Sequence, residues 1–190
     1  WIQGRGLEAL TGHAKWLEQN RATPENQERI SSIKNLLEKM IVKLEDCRAK
    51  NNGKMFFVMN SDGDFLEVDT DGSLKPLKAV RSNANFSDLF YSKGLMAAAA
   101  WLGKKELLAE AERYFKSVVD DIRAGRFISD QVSFDPKNKV AFVEGKHPQG
   151  PWMISLGGLA LAAEVCDREK WQKIAREVIK HITATHINTG

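Results

Sequence analysis

The helical segments of this chain fall into two kinds that alternate along the sequence. Segments 87–102 and 151–165 are nearly free of charge and rich in small residues, whereas the segments that follow them, 105–123 and 168–181, are about half charged. A helix that is apolar all round has to be enclosed, while a helix with one apolar stripe lies at a surface. The alternation therefore predicts an inner layer of helices covered by an outer layer.

Composition and charge narrow the possible classes of function. With 190 residues, 43% of them hydrophobic, the chain is long enough for one globular domain spanning 1–190. Its formal net charge is only +3, and the basic residues are spread along amphipathic helices. A nucleic-acid or membrane-surface partner has little electrostatic support in that pattern. We also expect no membrane span, because no stretch approaches the roughly 20 apolar residues that a bilayer requires.

Cysteine use and turn motifs argue against a metal or cofactor. Cys47 and Cys166 fall at the ends of different predicted helices, without metal-ligand spacing. We therefore expect reduced thiols in a cytoplasmic protein. The acidic turns 62–64 and 69–72 lack the spacing and closing Glu of a calcium loop, so turn formation is the better interpretation. No Gly-rich phosphate loop is present, and we expect no cofactor.

Hydrophobic periodicity and helix-capping signals predict an all-α fold of six helices with two inserted β-hairpins. The helices are expected to begin near Ile2, Pro24, Ser87, Lys105, Pro151 and Arg168. Thr23 is the expected cap of the second helix and Ser87 that of the third. The first hairpin is predicted over 55–68 and the second over 131–144.

The lengths of the connections predict how the helices are oriented. Each inner helix is followed at once by its outer helix, whereas each outer helix is followed by a long connection. Helices joined in this way run antiparallel within a pair and parallel between pairs. The first turns of all inner helices then share one rim with both hairpins.

Three such helical pairs correspond to about half of an (α/α)6 toroid, which has six. Three pairs cannot close a ring, so we expect the remainder of the barrel, or a homo-oligomer partner, to cover the exposed apolar surface. The sequence begins at Trp1 with a helical pattern already under way. We therefore expect the native N-terminus to lie upstream, and a removed signal peptide remains an open alternative.

Short motifs at this rim resemble those of one enzyme family. The sequence at 1–5, Trp-Ile-Gln-Gly-Arg, resembles the Trp-x-Gln-Gly-Arg signature of the N-acylglucosamine 2-epimerase family, which includes related sugar isomerases. Segment 57–63 is similar to the hairpin of that family, and 86–91, Phe-Ser-Asp-Leu-Phe-Tyr, is similar to its Phe-Ser-Glu-Cys-Phe-Tyr helix start. The order and spacing of these pieces match the family along essentially the whole chain.

The resemblance implies a cofactor-independent reaction on a small sugar. A proton is removed next to the sugar carbonyl, an enediol or enediolate forms, and the proton returns to the same or a neighbouring carbon. Such chemistry needs acid and base groups and donors for the developing oxyanion. Arg5 matches the family arginine that grips the carbonyl-end oxygens, which makes it the candidate catalytic residue. Tyr91 matches a family tyrosine, for which substrate contact is implied.

Each candidate has an ordinary structural alternative. Arg5 could be a first-turn arginine paired with a carboxylate, and Tyr91 could be a core residue with a bonded hydroxyl. Trp152 and Ser155, in the first turn of the fifth helix, are candidate substrate-binding residues because the predicted geometry directs them to the rim. His147, at the exit of the second hairpin, is a further candidate on the same ground.

The departures from the family limit what this chain can do. The two catalytic histidines of the family lie in the second half of the barrel, one of them in a Pro-Gly-His-x-x-Glu context that is absent here. His13 is mid-helix and is expected to be structural, whereas His181 and His186 fall near the end of the chain. We therefore expect this chain to supply the arginine but not the histidine pair, and to be inactive alone.

The sequence leaves the sugar and two rival functions open. Segment 156–161 lacks the Asn and His that some family members carry on the fifth helix, which argues against the sulfoquinovose and cellobiose branches. A glycoside hydrolase or lyase of toroid fold would need two carboxylates facing the lumen, and the inner helices offer only Asp88 and Glu164. A helical scaffold that binds carbohydrate or another partner without catalysis is the non-enzymatic rival.

Overall fold

A computed structural model describes residues 1–20, 23–69, 71–77, 82–129, 145 and 147–187. Over these residues the chain is mainly helical, with six helices and one small antiparallel sheet. In chain order the elements are α1 (Ile2–Gln19), α2 (Pro24–Lys50), β1 (Val58–Met59), β2 (Phe65–Val68), β3 (Leu74–Pro76), α3 (Phe86–Trp101), α4 (Lys105–Arg123), α5 (Gln149–Val165) and α6 (Arg168–Thr185).

Two helix starts show how the local sequence sets the boundaries. Thr23 caps α2 as predicted, and its hydroxyl oxygen accepts a bond from the Asn26 amide at 3.3 Å. The cap of α3 is Asn85 and not Ser87. Asn85 and Asp88 form a reciprocal capping box, in which each side chain accepts a bond from the backbone amide of the other. This pairing satisfies two backbone donors at once, so it stabilises the helix start more than a single serine cap would.

The predicted first hairpin forms, with one addition. β1 pairs with β2 in the register Val58 opposite Leu66, so the first strand is shorter than the predicted run from Met55. β3, which the sequence analysis did not predict, pairs antiparallel with β2 to give the order β1-β2-β3. The predicted second hairpin over 131–144 lies outside the described residues.

The six helices form an inner row, α1, α3 and α5, backed by α2, α4 and α6 respectively. α3 is the middle helix of the row and contacts both α1 and α5. Early residues of the inner helices meet one another, since Gly4 lies against the backbone of Tyr91 and Gly150 lies beside the Phe86 ring. The inner helices are therefore parallel to one another, as the connection lengths predict.

A close glycine contact joins α1 to α3. A Cβ atom built on Gly94 would lie 2.1 Å from the carbonyl oxygen of Gly4, and one built on Gly4 would lie 2.7 Å from the Tyr91 amide nitrogen. Neither position has room for a larger residue, because the atoms in the way belong to the backbone. The two glycines thus set the distance between α1 and α3, which places Arg5 beside the first turns of α3.

The three inner helices differ in how completely this chain covers them. α3 is enclosed on most sides, as its composition predicts. α5 is not enclosed, because Met153 and Ile154 are exposed although the helix is nearly charge-free. On α1, Ile2 is 80% exposed and Trp16 is also largely exposed. Both ends of the inner row therefore present apolar side chains, which is the uncovered apolar surface expected of three helical pairs that do not close a ring.

The structure also bears on the cysteines and on the expected absence of a membrane span. Cys47 and Cys166 are both free thiols, the first of them buried. Within the described ranges, none of the helices has both the length and the apolar character needed to cross a membrane.

Candidate functional site

Aromatic side chains gather around Arg5 where α1 and α3 begin. The Trp1 ring meets the rings of Phe57, Phe86 and Phe90 edge to face, with centroids 5.2, 6.0 and 5.0 Å away. The Arg5 guanidinium lies over the Phe90 ring, its central carbon 5.3 Å from the ring centroid. We call Trp1, Arg5, Phe57, Phe86 and Phe90 the Arg5 cup.

Arg5 is exposed, and its guanidinium forms no ion pair with any residue in the described part of the chain. One turn further along α1, Glu8 is already paired with Lys93 of α3 at 2.8 Å. The ordinary alternative, a first-turn arginine held by a carboxylate, is therefore not what the structure shows. The planar fork of guanidinium donors remains available to a ligand.

The start of α3 also holds the segment that carries Phe57 into the cup. The Met55 amide donates to Asp88 Oδ1 at 2.7 Å, and the Met55 carbonyl accepts from Asn85 Nδ2 at 2.8 Å. The backbone N–H and the backbone C=O of Met55 are thus both held by the residues that cap α3. Phe57 follows two residues later and meets the Trp1 ring.

Tyr91, predicted to contact substrate, lies in the core. Its side chain is 1% exposed, and its hydroxyl donates to Glu45 Oε1 of α2 at 2.6 Å. Its ring also meets Tyr114 of α4, with centroids 6.3 Å apart. The Tyr91 side chain therefore points from α3 towards the outer layer, while Arg5 and Phe90 lie on the other side. This placement supports the packing interpretation of Tyr91 and removes its hydroxyl from the cup.

Tyr91 belongs to a polar network between the inner and outer layers. Arg48 of α2 bonds to Glu45 at 2.5 Å and to Glu110 of α4 at 2.7 Å, and it lies over the Tyr114 ring. Burial opposes the charge on Arg48, but the two carboxylates outweigh it and raise the pKa of the guanidinium. Burial, and then the charge of Glu45, raise the pKa of Tyr91, so the tyrosine stays neutral and acts as a donor.

Asp88 is the most deeply buried carboxylate in this network. It accepts bonds from the amides of Met55 and Asn85 and from the Tyr114 hydroxyl. Burial raises the pKa of Asp88 to about 6, and these hydrogen bonds oppose the shift. Because all its partners belong to the protein, Asp88 is a structural group of the α3 start and not a carboxylate facing a ligand.

The two candidates on α5 are also turned away from solvent. Ser155 is 0% exposed, and its hydroxyl donates to the Trp152 carbonyl at 2.7 Å. Trp152 is 4% exposed, and its indole stacks on the imidazole of His181, with centroids 3.7 Å apart. Trp152 therefore packs against α6, and the Ser155 hydroxyl is bonded within α5 itself. The prediction that they point to the rim as ligand contacts is not supported.

His147 lies in a cluster of aromatic rings that nothing in the sequence predicts. Its ring is 5.6 Å from that of His181, which is in turn 5.6 Å from that of His186. We call His147, Trp152, His181 and His186 the histidine cluster. In each of the four rings one buried nitrogen has no hydrogen-bond partner within the described residues, namely His147 Nδ1, Trp152 Nε1, His181 Nε2 and His186 Nε2.

The fourth histidine lies elsewhere, on α1. His13 is exposed and stacks beside Trp16, with centroids 5.8 Å apart. It is therefore a surface residue packed on a neighbouring side chain of its own helix, outside the Arg5 cup.

The described residues offer no arrangement for a metal. Across the described ranges, no group of three or more His, Cys, Asp or Glu side chains is placed to hold a metal ion.

Comparison with known proteins adds no identification. No known family, no curated protein and no solved structure matches this chain.

Proposed function

We propose that the Arg5 cup binds a small sugar and that the chain forms part of a sugar 2-epimerase or aldose-ketose isomerase of the N-acylglucosamine 2-epimerase type. The observation that carries the proposal is the position of Arg5, whose guanidinium lies over Phe90 among aromatic rings without an ion pair in the described part of the chain. The motif at 1–5 supplies the chemical class.

The cup has the chemical groups that such a ligand needs. Aromatic edges and faces pack against the apolar C–H surface of a sugar ring, while a few polar groups set its orientation. The guanidinium offers paired donors to two neighbouring sugar oxygens. When a proton leaves the carbon next to the carbonyl, negative charge grows on these oxygens. A permanent positive charge held there stabilises the enediolate more than it stabilises the bound sugar.

The proposed context of the cup is an (α/α)6 toroid of which this chain forms about half. The parallel inner row and its outer helices support this architecture. The exposed apolar residues at both ends of the row support further helices beside them, namely Ile2 and Trp16 on α1 and Met153 and Ile154 on α5. The remainder of the barrel, or a second copy of the chain, would cover these faces.

We expect the remainder of the barrel to supply the groups that transfer the proton. Among the described histidines, His13 packs beside Trp16, His147 and His181 pack on Trp152, and His186 packs on His181, rather than in the cup. The chain by itself would then bind the sugar through Arg5 without catalysing its epimerisation or isomerisation.

The experiment that tests the proposal follows hydrogen exchange on sugars. The complete native protein is incubated in D2O with a panel of aldoses, ketoses and N-acylhexosamines, and deuterium at the carbon next to the carbonyl is measured by NMR. We expect uptake on at least one sugar and a loss of at least 100-fold in Arg5→Ala, by analogy with the loss of one oxyanion donor, about 10²–10³. Arg113→Ala, at an exposed arginine of α4, is the matched control and should retain uptake.

The same experiment separates the rival functions. Saturable sugar binding without uptake would favour the non-catalytic scaffold, which the position of the histidines outside the cup also favours. Uptake that survives Arg5→Ala would remove Arg5 from the mechanism. A glycoside hydrolase loses support from the structure, because Asp88 is buried among protein donors and Glu164 pairs with Lys15.

A further inference from the structure

We propose that the histidine cluster is an acid-sensitive clasp, which holds the last turn of α6 against the first turn of α5 while its imidazoles are neutral and releases them when they become protonated. The inference is argued from the histidine cluster and holds whatever binds in the Arg5 cup.

The geometry puts His181 at the centre of the clasp. Its ring stacks on Trp152 of α5 with an interplanar angle of 19°, and the rings of His147 and His186 lie on its other sides. The four rings come from the segment before α5, from α5 itself, and from the last turn and C-cap of α6. The connection at 166–167 joins the end of α5 to the start of α6. The ring contacts join the two opposite ends, the start of α5 and the end of α6.

The packing favours the neutral imidazoles. A buried ring nitrogen without a partner can stay uncharged at modest cost, whereas a charge there would lose its hydration. Burial lowers the pKa of His181, and the neighbouring His147 and His186 lower it further. A charge on His147 or His186 therefore opposes a charge on His181.

Charged groups on the elements around the cluster do not supply a ready counter-ion. Arg123 of α4 pairs with Glu177 of α6 at 2.5 Å, one turn before His181. Beyond the end of α4, Arg126 pairs with Asp121 at 2.8 Å. In the described part of the chain, Glu177 of α6 and Asp121 of α4 are thus already paired. Lys180, next to His181 in sequence, adds only positive charge, and α5 has no charged residue before Glu164.

Protonation should therefore separate the rings. The stacked indole of Trp152 would lose its neutral partner, and the first turn of α5 would lose its contacts with α6. Gly150, in that turn, lies beside the Phe86 ring of the Arg5 cup. Release of the clasp would then loosen one wall of the cup.

The chain offers an internal comparison for the test, because its four histidines comprise the three of the cluster and the exposed His13. The full chain is titrated between pH 8 and pH 5 in the presence of a chelator, and the ring C–H resonances of all four histidines are followed by NMR. We expect His181 to titrate at a lower pH than the exposed His13, because burial and two neighbouring imidazoles oppose its charge. The Trp152 emission, taken as wild type minus Trp152→Phe, should change over the same pH range.

A double variant tests the coupling itself. In His147→Gln/His186→Gln, the midpoint of His181 should rise, because the two neighbouring charges that lower its pKa are gone. His13→Gln is the matched control and should leave it unchanged. An unchanged His181 midpoint in the double variant, equal midpoints for His181 and His13 in the wild type, or a Trp152 emission that ignores the titration would each overturn the proposal. If the double variant does not fold, the comparison of the His181 and His13 midpoints in the wild type still tests the proposal.

Discussion

The indole of Trp152 stacks on the imidazole of His181 with ring centroids 3.7 Å apart, joining the first turn of α5 to the last turn of α6. This pair shows that a position at the start of an inner helix does not by itself make a ligand contact. Arg5, at the corresponding position of α1, is instead exposed over Phe90. The two sites have different roles, since one holds a helical hairpin together and the other presents a cation.

The contact between α1 and α3 leads to the first prediction. Gly94→Ala would place a methyl group 2.1 Å from the Gly4 carbonyl oxygen, so α1 would have to move. We expect a loss of at least about 1–3 kcal/mol in the free energy of unfolding, the usual cost of overpacking. Urea unfolding followed by far-UV circular dichroism measures it.

Gly12→Ala is the matched control on α1. A Cβ atom there meets nothing within 4 Å, so only the helix propensity changes. We expect Gly12→Ala to raise the free energy of unfolding by about 0.5–1 kcal/mol. Equal effects at Gly94 and Gly12 would contradict the close approach of α1 and α3.

Replacement of Tyr91 by Phe separates its two interpretations. The variant removes the hydroxyl that donates to Glu45 but keeps the ring in the core. Because Glu45 keeps its pairing with Arg48, we expect a modest loss of about 1–2 kcal/mol in the free energy of unfolding. Sugar affinity, measured by calorimetry on the same protein, should not change. A large loss of affinity at unchanged stability would restore Tyr91 to the site.

Asp88 should make stability depend on pH in an unusual direction. Its pKa in the folded protein is about 6, above the ordinary value of 3.8. A raised pKa means that the folded state holds the proton more tightly, so its stabilising contribution is complete below about pH 4 and is lost as pH rises through 6. With about 1.4 kcal/mol per pKa unit, the loss amounts to roughly 2–3 kcal/mol.

Comparison with Asp88→Asn isolates this contribution, because the amide does not titrate. Urea unfolding at pH 4, 5, 6 and 7 should show the wild type losing stability relative to the variant as pH rises. Parallel pH profiles for the two proteins would contradict a raised pKa at Asp88.

The elements that could be predicted from the sequence are those set by local signals. The bounds of α1 and α2 follow from hydrophobic periodicity and, for α2, from the Thr-Pro cap at residues 23–24. The cap of α3 was within reach as well, because Asn85 and Asp88 have the spacing of a capping box. The strand β3 was harder, because all three of its residues are exposed and lack the alternation that marks a half-buried strand.

The direction of single side chains could not be predicted in the same way. Tyr91 and Phe90 are neighbours on α3, yet one turns to the outer layer and the other to Arg5. Which of them does so depends on the rotation of α3 against α1, and that rotation is set by the contact between Gly4 and Gly94. The histidine cluster depends on the antiparallel packing of α5 and α6, which brings together residues far apart in sequence.

The central claim is that Arg5 receives the sugar, and the side-chain resonance of this arginine tests it most directly. The complete native protein is titrated with the sugar that shows deuterium uptake, or with the whole panel in turn, and the Nε–Hε signals of its arginines are followed by NMR. We predict a saturable shift of the Arg5 signal, with no shift for the exposed Arg113 of α4. Saturable binding seen elsewhere in the protein while the Arg5 signal stays in place would contradict the account.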